Sequence, residues 1–437
     1  MITIVIGLGL LILLLLLGVP IAFSFFGAVL ALCLYLGYDV ASLVPYAYTK
    51  VNSLTLLAIP LFVLAGVLME KGGIGKALVD FVSIFVAKIN GGLGVAVPFS
   101  CAAFGAVSGS GYATISCIGS ILMPRMREKG YPPGHSAALL SSSGVLGLMI
   151  PPSLNMIMIA FLTQASMLSC FMAGFLPGVI LTCLLAFVNC VLLRKNDTIE
   201  KDTEYLALPR REKLSFIRGK TMGAIPAIIC PLIILGGIYA GLFTPTEAAA
   251  VAALYAVPVG LFIYKGLSIK RIGQALLEAG TTTGTIFMML FSVMMLSRIF
   301  ISENVPQMIL EFLSSISDSR FVILLMINLF IIIVGMLMDD GSAILLVTPI
   351  LLPIMGQLGI GTVHFAVIVA VNVGLGTVTP PCAPFLYFAA RVGEASVSDM
   401  LKPTFAFILG AWLPVLLLVT YFPTISTIIP SLLGLPV

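Results

Sequence analysis

Four short stretches of an otherwise apolar chain hold the residues able to do chemistry: SGSG at 108–111, MDDGS at 338–342, GLMIPPS at 147–153 and GTVTPPC at 376–382. The hydroxyls of Ser108, Ser110 and Ser342 and the carboxylate of Asp339 are oxygen ligands of the kind that hard monovalent cations prefer. In the other two stretches a Pro pair removes two amide donors and disfavours helix in the residue before it, so a helix must break there. Breaks free backbone carbonyls around 147–150 and 376–379, and a polar tip set opposite a break makes a clamshell of oxygens. Two clamshells predict two or more sodium ions. The candidate ligands are Ser108, Ser110, Gly147, Ile150, Asp339, Gly341, Gly376 and Thr379. The competing reading is that Gly and Ser only let helices pack closely. Against it, an aspartate inside a membrane is costly enough to mark function by default.

These stretches belong to one unit present twice, at 105–155 and 334–384. Pro124 aligns with Pro353, Gly130 with Gly359, His135 with His364, Gly147 with Gly376, and Pro151-Pro152 with Pro380-Pro381. Every pair is 229 positions apart and no gap is needed, which argues duplication. Broken backbone at membrane depth is tolerated only where it is buried in protein or lines a cavity. Paired interruptions in two halves therefore point to a transporter's binding site.

Composition supports a membrane setting. Sixty per cent of the 437 residues are hydrophobic and 9% charged, against roughly 25% charged in a soluble domain. The net charge of +4 implies no nucleic-acid face. Eight cysteines sit in apolar runs without a C-x-x-C pair and read as small buried hydrophobes. There is no Walker A loop, G-x-G-x-x-G or H-E-x-x-H, which argues against an ATP-driven pump. An intramembrane protease is disfavoured too: the histidines lie at the wrong depth for Ser108, and adjacent aspartates point apart on a helix.

Apolar runs lay out an all-α polytopic membrane protein with about ten transmembrane helices and two re-entrant hairpins. The first repeat covers 1–193, with an opening trio of helices, a short arm at 78–88, a hairpin at 91–127, a helix at 136–162 broken at Pro151, and a span at 168–193. A basic cytoplasmic linker, 194–221, precedes a second repeat at 222–437, with an arm at 305–313, a hairpin at 321–356, a broken helix at 365–390 and a last span at 405–422. A hairpin leaves by the side it entered, so five crossings separate the two and the second repeat is inverted. The same arrangement gathers Arg125, Arg127, Lys129, Lys265, Lys270, Arg271, Arg391 and Lys402 with the linker on the cytoplasmic side, and sets both chain ends outside. Thr244-Pro245-Thr246-Glu247 reads as a capping box opening the next helix. His135 and His364 read as helix-start or interfacial residues, and Asp340 as a carboxylate open to protonation or to pairing with a base.

At these residues the sequence resembles the large membrane subunit of TRAP (tripartite ATP-independent periplasmic) transporters. The likeness runs nearly end to end through AIPLFVLAG at 58–66, GGLGVA from Gly91, PRMREKGYPP from Pro124, GLMIPPS, GLFTPTEAAAVAALYA from Gly241, TPILLPI from Thr348 and TPP from Thr379. It implies a sodium-coupled importer of organic anions, carboxylates such as C4-dicarboxylates or sialic acid, in a bacterial inner membrane. It also implies a small four-helix membrane subunit and a periplasmic substrate-binding protein, both expected as separate polypeptides. An elevator is implied, in which hairpins and broken helices move as a transport domain against a scaffold. Substrate would then bind at Pro152, Ser153, Asn155, Asp340 and Ser342. A stand-alone sodium–carboxylate symporter of the same architecture is the main rival reading, and a membrane enzyme or assembly subunit a more distant one. Two departures stand out: Cys382-Ala383-Pro384 replaces the usual Val-Gly after TPP, predicting a longer second break, and the first tip reads SGSG where the family often has Gly-Ser-Ser.

Overall fold

The computed structural model describes residues 2–86, 91–194, 199 and 209–437. Much of the expected linker, with Lys195 and Lys201, and Lys88 at the end of the arm lie outside the described residues. Among those residues the chain is helical throughout, with no strand.

Eight helices are long and apolar enough to cross a membrane. A ninth is the bent pair Pro133–Met149 and Leu154–Thr163, whose halves diverge by 46°. The expected ten spans are not all met by length alone, because Ile21–Leu36 and Thr362–Val378 stop at 16 and 17 residues. Two of the eight, Arg320–Leu337 and Asp340–Gln357, are the arms of the second hairpin.

Several elements are longer or more numerous than hydropathy indicates. Val40–Val51 is a helix with only Leu43 and Ala47 buried, too polar and too short to read as a span. The basic segment becomes helix at Arg210 and continues without a break to Tyr239, so the second repeat's first span carries a polar extension. Ile269–Ser302 runs for 34 residues where 281–298 reads as the span. Pro423–Leu432 adds a final helix after the last span. The arm, Ile74–Val86, buries Ile74, Leu78 and Val79 against the first hairpin and the helix from Arg210. Asp80 on it accepts from Arg125 Nη1 at 3.2 Å and Lys220 Nζ at 2.5 Å.

Two helix–turn–helix pairs and two helix breaks lie at matching positions of the repeat. The first hairpin is Gly92–Ser108 and Gly111–Glu128. The first break lies at 150–153, between Leu146–Met149 and Leu154–Thr163. The second runs from Thr379 to Ala383, between Thr362–Val378 and Pro384–Gly393. It is one residue longer, with Pro384 opening the new half-helix behind Ala383 at φ +30°, as the departure from the family pattern predicts. Both Pro-Pro bonds are cis.

Within each repeat the hairpin lies on the broken helix through a glycine crossing. A Cβ on Gly105 would stand 2.5 Å from Gly147 Cα, and one on Gly376 would stand 2.7 Å from Gly335 Cα. Between repeats the half-helices change partners. Leu154–Thr163 packs on Asp340–Gln357, and Pro384–Gly393 packs on Gly111–Glu128. The two repeats therefore interlock, each break completing the other repeat's hairpin.

Candidate ion and substrate site

The first tip is built by two caps. Gly109, at φ +63°, ends one helix in the left-handed conformation that glycine adopts freely, with its N–H on Gly105 O. Ser110 caps the next, its Oγ accepting from Ala113 N at 3.5 Å. Gly109 O then accepts from Leu154 N at 3.3 Å, tying the tip to the half-helix beyond the first break. Around this join sits a cluster of oxygens. Ser108 Oγ lies 3.4 Å from both Ser110 O and Thr114 Oγ1, and Thr114 Oγ1 donates to Ser110 O at 2.7 Å. Gly147 closes the jaw: a Cβ there would stand 2.6 Å from Thr114 Oγ1 and 2.8 Å from Ser110 O. Ser108, Ser110, Gly147 and Pro152 are thus brought together, with Ile150 ending the helix beside them at ψ 126°. Thr114, fully buried, joins them. Sequence reasoning passes over it because it lies one helical turn beyond the SGSG tip, although its spacing of four from Ser110 sets it on the same face.

Asp339 holds the place of Ser110, 229 positions on, and performs the same backbone task. It caps Asp340–Gln357 by accepting from Ser342 N at 3.3 Å, and its other oxygen accepts from Ser342 Oγ at 2.5 Å. Ser342 Oγ also lies 3.2 Å from Met289 Sδ. Asp340 follows in the first turn, buried, where the helix N-terminus favours negative charge. Asn155 lies beside it, on the first-repeat half-helix that packs on this helix. In the second break Thr379 Oγ1 donates back to Leu375 O at 2.6 Å, leaving its lone pairs unused by that bond.

Ser153 is fully buried and caps its half-helix, accepting from Met156 N while donating to Leu148 O. Another cross-repeat contact is aromatic: Tyr112 meets Phe385 and Phe388 edge-on, with centroids 4.7 and 5.4 Å apart. A cavity of about 320 Å³ opens beside the first tip, lined by Ser108, Ser110, Tyr112 and Ser116 on one side and by Glu70 and Glu278 on the other.

Residues 8–425 match the family described as the tripartite ATP-independent periplasmic transporter, DctM component. The chain belongs to this TRAP transporter family. It is 35% identical over 409 residues to the C4-dicarboxylate TRAP transporter large permease protein DctM of Pseudomonas aeruginosa, covering 93% of each chain. It is 33% identical to the sialic acid TRAP transporter permease protein SiaT of Haemophilus influenzae, over 95% of this chain and 66% of that one. The crystal structure of the YdaH transporter of Alcanivorax borkumensis shares the fold at a TM-score of 0.59 and 14% identity, over 88% of this chain and 89% of that one. This TRAP permease is accordingly a multi-pass membrane transport protein and not an enzyme.

The remaining sequence-level candidates resolve into structural roles. His135 starts a helix and its Nε2 lies 3.0 Å from Asn189 Oδ1, while His364 Nε2 lies 2.7 Å from Val419 O. Both rings are buried against the last long helix of their own repeat. The capping box at Thr244 forms, Glu247 Oε2 accepting from Thr244 N at 2.7 Å. The cysteines divide: Cys33, Cys101, Cys170 and Cys230 are buried as expected, but Cys183 and Cys382 are exposed. Cys382 lies in the second break, two residues ahead of Pro384.

Proposed function

We propose that this TRAP permease is a sodium-coupled importer of organic anions, carboxylates of the C4-dicarboxylate or sialic acid class, taking substrate from a periplasmic binding protein and working with a small membrane subunit. The observation that carries this reading is the pair of matched tips, each a capped helix start whose repeat also holds a proline break, at 229-residue spacing. Sodium at the first tip would use Ser108, Ser110, Thr114 and the Gly147–Ile150 backbone. At the second it would use Asp339, Gly341 and the carbonyls from Gly376 to Thr379. Cation charge there would offset the desolvation of an incoming carboxylate, which Asn155 and the Asp340–Ser342 turn would meet. The relatives' names support the substrate class. Their tripartite family supports the partners, and the largely exposed apolar surface of the helix from Arg211 to Tyr239, only 22% buried, offers area for lipid or for the small subunit. The inverted setting of the repeats and elevator movement of the hairpin unit belong to the same proposal.

The test is reconstitution with both partners in liposomes. Uptake of labelled succinate or sialic acid should require an inward sodium gradient and the binding protein, and proceed without ATP. Uptake undiminished without the binding protein would favour the stand-alone symporter, and an ATP requirement at constant sodium gradient would remove the reading altogether.

A further inference from the structure

The helix Leu54–Lys71 has a cavity toward each end. Glu70, near its last residue, lines the one already described. At its start, about 27 Å away for 18 residues, lies a larger one of about 440 Å³, lined by Thr49, Lys50, Ser53, Thr55, Gln164 and Met167 among others. One wall comes from Lys50 to Thr55 with Pro245, the other from the end of the Leu154–Thr163 half-helix. This cavity is therefore shared between the outer helices and the unit that carries Asn155.

Helix starts outnumber helix ends around it. Three spans begin at it, Leu54–Lys71, Met167–Leu193 and Pro245–Ile263, so three positive macrodipole ends converge. Ser53, before the first of them, makes no capping bond with its side chain. Two helices end there: Val40–Val51, whose last turn carries Lys50, and the short half-helix, whose terminal carbonyls are covered, Phe161 O accepting from Gln164 Nε2 at 2.6 Å and Ala160 O from Ala165 N at 3.1 Å. Lys50 supplies a full charge and makes no ion pair among the described residues. Its Nζ stands 5.8 Å from the Tyr46 ring, which Arg298, likewise without an ion pair among the described residues, approaches at 5.2 Å. The nearest acid along the chain, Glu247, is held by Thr244 N and Oγ1. One lysine in its lining without an ion pair among the described residues, with three helix starts against two helix ends, favours an anion there.

We infer that this cavity is an anion-collecting site, in which Lys50 and the three helix starts hold a carboxylate of the incoming organic anion before it reaches Asn155 along the half-helix. The choice of an organic anion rests on the proposed function; the attraction for negative charge does not. It is read with Thr55→Cys in the purified permease with its partners. Methanethiosulfonate reagents bearing a sulfonate or a trimethylammonium group are compared, and labelling at position 55 is followed by mass spectrometry. The sulfonate reagent should react several-fold faster relative to a free thiol. That preference should fall at least threefold in Thr55→Cys with Lys50→Gln, return with Lys50→Arg, and weaken as salt screens the charge. In liposomes Lys50→Gln should raise the KM for the transported carboxylate several-fold with kcat little changed. A labelling preference that is absent, or indifferent to Lys50, overturns the site even if uptake is normal. Absence of carboxylate uptake in the unaltered permease, with the labelling preference intact, removes the transport reading and leaves an anion site without its assigned ligand class.

Discussion

The two hairpin tips share a backbone and differ in charge. Ser110 and Asp339 occupy the same position of the repeat and each caps the helix that follows. Glycine crossings hold both hairpins to their broken helices, and both breaks turn on a Pro pair. The first tip nevertheless offers only neutral oxygens, gathered by Thr114, while the second carries two neighbouring carboxylates. Duplication has kept what shapes the chain and let the ligand chemistry diverge. The charged tip should therefore dominate the energetics of ion binding, and the neutral one should depend on how tightly its oxygens are gathered.

The largest effect is expected at the charged tip. Asp339→Asn keeps a good cap but removes a full charge from a low-dielectric site, so the sodium concentration for half-maximal uptake should rise about tenfold or more, an equivalent of about 1.4 kcal/mol. Sodium titration of uptake decides it; an unchanged requirement would assign Asp339 to capping alone.

Next come the crossings, where the two halves should behave alike. Gly105→Ala and Gly376→Ala each force a Cβ against backbone, and overpacking of this kind destabilises by about 1–3 kcal/mol. Thermal unfolding of the purified protein should drop for both and stay level for Gly356→Ala, whose Cβ would meet nothing within 4 Å. A drop in only one repeat would break the equivalence.

A smaller effect is expected at the neutral tip. Ser108→Ala and Thr114→Val each remove one hydroxyl worth about 1 kcal/mol, so sodium requirement should rise about fivefold with thermal stability nearly unchanged. Stability that falls while sodium dependence stays constant would leave these hydroxyls as packing groups. The smallest effect belongs to the histidines: His364→Gln should lower stability modestly through its contact with Val419 and leave sodium dependence where it was. Movement of the sodium curve by this variant would mean that the ion site extends to the last helix.

Much of this was legible in the sequence, because repeat spacing, Pro pairs and capping residues act locally. The tips, the breaks, the added residue at Pro384 and the Thr244–Glu247 box all follow from rules spanning a few positions. Val40–Val51 escaped because its apolar face is two residues wide and a Pro interrupts it. Thr114 escaped because hydropathy treats it as part of an arm. The contacts of Asn155 with Asp340 and of Tyr112 with Phe385 join residues some 185 and 273 positions apart, and no periodicity within either repeat foretells them.

That exchange of half-helices bears on whether either half could stand alone. A single repeat standing alone would have a hairpin lacking its cover and a half-helix lacking its seat, so neither pocket wall would be complete. Only another copy of the same half, in the inverted setting proposed above, supplies both missing surfaces at once. The two halves of this polypeptide therefore form one folding unit, and severing the chain between them would leave each half with an uncovered apolar face.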